Sequence, residues 1–165
     1  MKGLLMVICF LFTGQSYPEL EVVRKLYQEC PRHEKSCQEL LDLLKPYRIT
    51  DHPLLYGYQA SATMMLARHV FNPVSKLRNF NRGKQMLEAA ISAAPEDVEL
   101  RLLRLLAQSN APGFLGYRDE IVSDKNFIFN ELPKIREPQT RDFIIRSLAA
   151  LEHIEPARLQ SLKKQ

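Results

Sequence analysis

Arg82-Gly83-Lys84-Gln85-Met86-Leu87-Glu88-Ala89-Ala90-Ile91-Ser92-Ala93-Ala94-Pro95-Glu96-Asp97-Val98-Glu99 is the stretch whose reading decides the fold. Gly83, Leu87, Ala90 and Ile91 recur at three- and four-residue spacing. That spacing lines one face of a helix and no face of a strand. Pro95 cannot continue such a helix, because its ring clashes with the preceding turn and it has no backbone N–H to donate. Glu96, Asp97 and Glu99 follow at once. Acidic residues in a first turn complement the positive end of a helix, so a second helix starts there.

The same punctuation repeats outward in both directions. Ser16 caps a first helix with Pro18 in its first turn, Glu19 and Glu21 near its positive end, and Leu20, Val23 and Tyr27 inward. It stops before Pro31. A second helix runs from about Glu34 to Lys45, with Leu40, Leu41 and Leu44 inward, and ends at Pro46. Asp51 is predicted to cap a third, with Pro53 in its first turn and Leu55, Tyr58, Ala62 and Leu66 on one face. Asn72-Pro73 ends it, and Ser75 or the residues just after it begin a fourth that continues through Ala94 and adds Phe80 to its core face.

The fifth helix spans Glu96 to about Ser109, and Asn110-Ala111-Pro112-Gly113 is a loop by composition. Asp119 to Leu132 forms a sixth. Thr140 to Ile154 forms a seventh with Phe143, Ile144, Leu148 and Leu151 inward, and a short tail helix follows Pro156. No segment alternates in the manner of a strand. The expected fold is all-α, antiparallel helical hairpins arranged as a stack or a closed bundle of about seven to eight helices.

Gly83-x3-Leu87-x2-Ala90-Ile91-x3-Pro95 resembles the second helix of a tetratricopeptide repeat and its closing proline, and Glu96-Asp97-Val98-Glu99 resembles the start of a following repeat. The likeness covers about residues 82–108. It implies a stack of helical hairpins in which small residues let two helices approach closely, often a protein-binding scaffold. Pro46, Pro95 and Pro138 keep no fixed period, so a regular array is not expected. Outside that segment the chain is similar to small exported bacterial proteins.

The first sixteen residues read as a signal peptide. Lys2 is followed by the unbroken apolar run Leu4 to Phe12. Nine residues are too few for a bilayer span, which needs about 20, and suit the central region of a secretory signal. Gly14 and Ser16 supply the small residues a cleavage site requires, placing the junction after Ser16. Residues 17–165 then form a single all-α domain, periplasmic or extracellular, with no transmembrane segment. Its composition, 45% hydrophobic and 25% charged, suits one globular core. The net charge of +4 is too small and scattered to demand nucleic acid, and no nucleic-acid partner is expected.

Removing the signal peptide leaves two cysteines, Cys30 and Cys37, flanking a polar turn. An even count in an oxidising compartment predicts a disulfide. Free thiols are the alternative. Zinc is the weakest reading, since His33 would be only a third ligand and such sites usually need four. No metal or cofactor is expected. Catalytic constellations are also absent from the sequence: His33, His52, His69 and His153 include no i,i+4 pair, and there is no Gly-x-Ser-x-Gly elbow. Glu120 and Asp124 share a helix face, which invites an acid–base role with His52 or His69. Simple complementation of the helix dipole is the favoured reading of the pair.

Two surfaces invite a partner. Lys76, Arg78, Arg82 and Lys84 interleave with Leu77 and Phe80, and Arg78 and Arg82 lie one turn apart. An amphipathic helix places Leu77 and Phe80 in the core and the cations in solvent, forming a basic strip for an acidic protein or an anionic surface. The loop around Phe114, Leu115 and Tyr117 is unusually apolar, and Phe114 with Leu115 is expected to plug the core. The function favoured by these features is an exported, non-enzymatic helical scaffold that binds a protein partner in the cell envelope. A small envelope enzyme using the carboxylates and a histidine is the alternative.

Overall fold

The computed structural model describes residues 18–152 and Ile154. The expected signal peptide and the helix after Pro156 lie outside these residues. The described residues form seven α-helices: α1 (Leu20–Glu29), α2 (Glu34–Leu44), α3 (Pro53–Met65), α4 (Pro73–Ala93), α5 (Val98–Asn110), α6 (Ile121–Glu131) and α7 (Pro138–Ala149). Single 3-10 turns occupy Leu66–Arg68, Gly113–Leu115 and Leu132–Lys134. No strand occurs among the described residues. The chain is all-α, as its periodicity predicts.

Each helix from α1 to α5 packs on the next, while α3 also meets α1 and α5, and α5 meets α7. This makes α3 and α5 the centre of the core. Tyr58, Leu87, Leu100, Leu103, Ile128, Phe143 and Leu148 are almost wholly removed from solvent. The tightest approach joins α3 to α4 at Gly83. A Cβ there would stand 2.5 Å from the Ala60 carbonyl oxygen and 2.7 Å from the Met64 amide nitrogen. Glycine is therefore required by backbone proximity.

Helix ends account for most departures from the predicted boundaries. Glu19, not Ser16, occupies the N-cap of α1, and His52 rather than Asp51 precedes Pro53 at the start of α3. Asn72-Pro73 opens α4 as well as ending the preceding segment. Asn72 Oδ1 accepts from the Val74 and Ser75 amides at 2.8 and 3.3 Å, and Pro73 takes the first helical position. Asparagine at the cap and proline just inside are both favoured there, so α4 starts two residues earlier than Ser75. Asp97 caps α5 through the Glu99 and Leu100 amides. Glu137 caps α7 through the Thr140 amide, and that helix ends at Ala149, short of Ile154.

Two buried ionic clusters tie the helices together. Arg24 on α1 grips Glu99 on α5 with two bonds of 2.8 and 2.6 Å and donates to Thr140 on α7. Tyr58 on α3 donates to the same Glu99 carboxylate. Burial and that neighbouring carboxylate hold the phenol well above its ordinary pKa, so it remains a neutral donor. Arg104 on α5 forms the second centre. It holds the fully buried Asp124 of α6 with two bonds of 2.7 Å and Glu88 of α4 at 2.8 Å.

Candidate ligand-binding cavity

Helix length determines where the fold opens. α4 has 21 residues and α3 has 13. Gly83 meets α3 at Ala60 and Met64, and the ten residues of α4 before it, about 15 Å of helix, run on past the end of α3 and are met in part by the 3-10 turn Leu66–Arg68. The space left beneath this overhang is a cavity of about 920 Å³. Met64 and Met65 of α3, Leu77 and Phe80 of α4, and Leu106 and Ala107 of α5 form its apolar walls. Phe114 and Leu115 in the turn after α5 close one side, and Arg146, Ser147 and Ala150 at the end of α7 close another.

The charged groups around this space are all of one sign. Arg32, Arg68, Lys76 and Arg146 line it, all exposed at its mouth, and no Asp or Glu does. Arg146 also pairs with Asp142 at 3.0 Å. Among the described residues no ion pair engages Arg32, Arg68 or Lys76. Ser61 contributes the wall's most deeply buried polar group: it is 2% exposed, and its hydroxyl has no hydrogen-bond partner among the described residues. A buried hydroxyl left this way costs roughly 1–3 kcal/mol.

The predicted basic strip divides into parts with different environments. Lys76 borders the cavity, and Arg78 and Arg82 point into solvent. Lys84 is half-buried, its ammonium 4.7 Å from the centre of the Tyr117 ring. Tyr117 in turn donates to Glu88 at 2.5 Å. Leu77 is not in the core as expected. It is 48% exposed and lines the cavity. Phe114 does not plug the core either: it is 88% exposed at the cavity edge, while Leu115 is half-buried.

The carboxylates and histidines considered for catalysis are engaged elsewhere. Asp124 is fully buried and held by Arg104 and by Arg101 at 3.2 Å, so both its oxygens are occupied by guanidinium donors. Glu120 is partly exposed, 3.7 Å from Arg104. His69 Nε2 lies 2.7 Å from the Cys30 carbonyl oxygen, and His52 packs edge-on against Tyr47. No group of three or more His, Cys, Asp or Glu capable of holding a metal occurs among the described residues.

The expected Cys30–Cys37 bridge is not formed. Both residues are buried free thiols. Cys37 Sγ is directed toward the Cys30 carbonyl at 3.6 Å and the Ala62 carbonyl at 3.9 Å, so its hydrogen is used in packing α2 onto α3. The adjacent Cys37 sulfur and burial push the Cys30 thiol above its ordinary pKa.

Sequence reasoning missed Ser61, Arg32, Arg68 and Arg146. Each lies on a different element, and nothing in local spacing links them. Met64-Met65 was the only local hint, since paired methionines suit an adaptable apolar wall. The described residues form an all-α fold with a cavity whose charged lining residues are all cationic. No family model, curated protein or solved structure matches the chain.

Proposed function

We propose that this protein is an exported, non-enzymatic helical binding module whose ligand seats in the cavity beneath the overhang of α4. The observation that carries this reading is the cavity itself. Its volume of about 920 Å³ and its walls of Met64, Met65, Leu77, Phe80 and Leu106 suit a small ligand. Commitment of Asp124 to two guanidiniums supports binding over acid–base chemistry. Lys2 and the apolar run after it support export, which makes the cell envelope the place of encounter. No helix of the described residues is long and apolar enough to cross a membrane.

A neutral solvatochromic dye tests the cavity directly. Saturable binding with blue-shifted emission is expected for the full chain, and Ala107→Trp, which fills the space, should remove it while helical circular dichroism is unchanged. Absence of binding, or equal binding by the filled variant, would overturn the reading.

A protein partner docking on the outer face of α4 is the second reading, favoured by the 99% exposure of Phe71 and the solvent-facing Arg78 and Arg82. Recovery of an envelope partner by the wild type and its loss with Arg78→Glu/Arg82→Glu would support this reading. Retention by the double variant at every salt concentration would sink it.

A further inference from the structure

Six large apolar side chains stand exposed among the described residues, and four of them, Phe71, Val74, Leu77 and Phe114, gather at one end of the molecule. Leu77 and Phe114 line the cavity mouth together with Pro73, and Phe71 and Val74 flank that proline in sequence. The other two, Val22 and Val122, are single positions on α1 and α6.

Charge at this end keeps one sign over long stretches of chain. Residues 52–87 contain Arg68, Lys76, Arg78, Arg82 and Lys84 and no Asp or Glu. Residues 100–118, which carry the Phe114 turn, contain no acid either. Arg68, Lys76 and Arg78 are exposed and in no ion pair among the described residues. On the α7 side of the mouth Asp142 neutralises Arg146, so the excess lies on the α4 side. α4 also begins here, and the positive end of its dipole adds to the same field.

We propose that this end of the molecule docks on an anionic lipid bilayer. Phe71, Val74, Leu77 and Phe114 enter the headgroup layer, while Arg68, Lys76 and Arg78 meet lipid phosphates. This goes beyond the cavity reading and holds whether or not a ligand fills the cavity.

Other coverings of the patch fit less well. Residues 1–17 contain Lys2 and no acid, and residues 155–165 carry Arg158, Lys163 and Lys164 against Glu155 alone. Either segment would bring like charge to a basic face, as would a second copy of the chain at +4. Phe71 and Phe114 project from two different turns, with almost no protein surface against either. A protein partner must supply a fitted pocket for each such anchor. A fluid bilayer interface takes separate projections without one, and an anionic leaflet presents the uniform opposite charge.

The chain contains no Trp, so Phe71→Trp places a lone reporter on the face and Val122→Trp places one on α6. The probes are vesicles of mixed phosphatidylglycerol and phosphatidylcholine, and vesicles of phosphatidylcholine alone, added to the full chain. Reading by position matters because the run Leu4 to Phe12 is apolar enough to adsorb to lipid by itself. With the mixed vesicles at low salt, the Phe71→Trp emission should shift to the blue and be quenched by brominated acyl chains. The Val122→Trp emission should not move. Adding Lys76→Gln/Arg78→Gln to the Phe71→Trp chain should lower partition by about thirtyfold, since each cation near an anionic surface is worth about fivefold. Added salt should weaken it in the same direction.

An unmoved Phe71→Trp emission would overturn the proposal, as would an equal shift from Val122→Trp or equal partition into phosphatidylcholine alone at every salt concentration. A larger shift with an acidic amphipathic peptide than with the anionic vesicles would overturn it in favour of a protein partner. The neutral dye reads the cavity separately. Dye binding without vesicle docking defeats this inference alone, and vesicle docking without dye binding defeats the cavity reading alone.

Discussion

The two halves of α4 follow one apolar stripe and end in opposite environments. From Gly83 onward the helix lies against α3, and Leu87, Ala90 and Ile91 are buried. Before Gly83 it runs past the end of α3, where Val74 is 73% and Leu77 48% exposed. Helical period alone does not separate Leu77 from Leu87. What separates them is whether a turn of another helix stands opposite, and the shorter α3 decides that. The closed half holds the fold together, and the open half supplies a wall of the cavity.

Loss of the ionic clamp on the closed half should have the largest effect. Arg104→Ala leaves Asp124 buried without its main partner and frees Glu88 of α4. A destabilisation of about 3–5 kcal/mol is expected in urea titration, since removing one member strands the other charge. A loss under about 1 kcal/mol would mean that water reaches Asp124.

The comparison itself breaks or stands on a pair of leucines. Leu87→Ala should cost about 2–5 kcal/mol by opening a void in the core. Leu77→Ala should stay within about 1 kcal/mol and instead weaken binding of the neutral dye. Equal stability losses would mean that the overhang is packed in solution.

Two glycines sharpen the contrast further. Gly83→Ala forces a methyl against backbone atoms of α3 and should destabilise by about 1–3 kcal/mol despite alanine's better helix propensity. At Gly57 the obstacle is the end of the Leu100 side chain, which can rotate. Gly57→Ala should therefore cost less, and the reverse order in thermal unfolding would refute the assigned α3–α4 contact.

The thiols provide the smallest expected change. Reductant should not shift the melting temperature, and a thiol reagent should label Cys30 and Cys37 only after denaturation, both at once. No labelling of non-reduced, denatured protein would show a disulfide instead.

Legibility followed sequence distance. Val23, Leu40, Tyr58, Leu87 and Phe143 were assigned inward from spacing alone and are buried. Helix starts were less secure, because Asn72-Pro73 carries both a stop signal and a start signal and spacing cannot rank them. Phe114 and Leu77 were misplaced because hydrophobicity reports a preference for burial, while burial itself requires a partner surface. The cavity was illegible for a stronger reason. Arg32, Ser61, Arg68, Lys76 and Arg146 come from separate segments that only packing brings to one space.

The sequence by itself determined the all-α class, the number of principal helices and the stripe each one buries, because these depend on periodicity and on proline within a few residues. Tertiary structure decided which part of each stripe is covered. It turned Asp124 from a candidate base into the guanidinium-bound centre of the core and left Cys30 and Cys37 as thiols. It also made a cavity out of a length mismatch between α3 and α4. Local rules set which way a side chain faces, but only the end of a neighbouring helix sets what it meets.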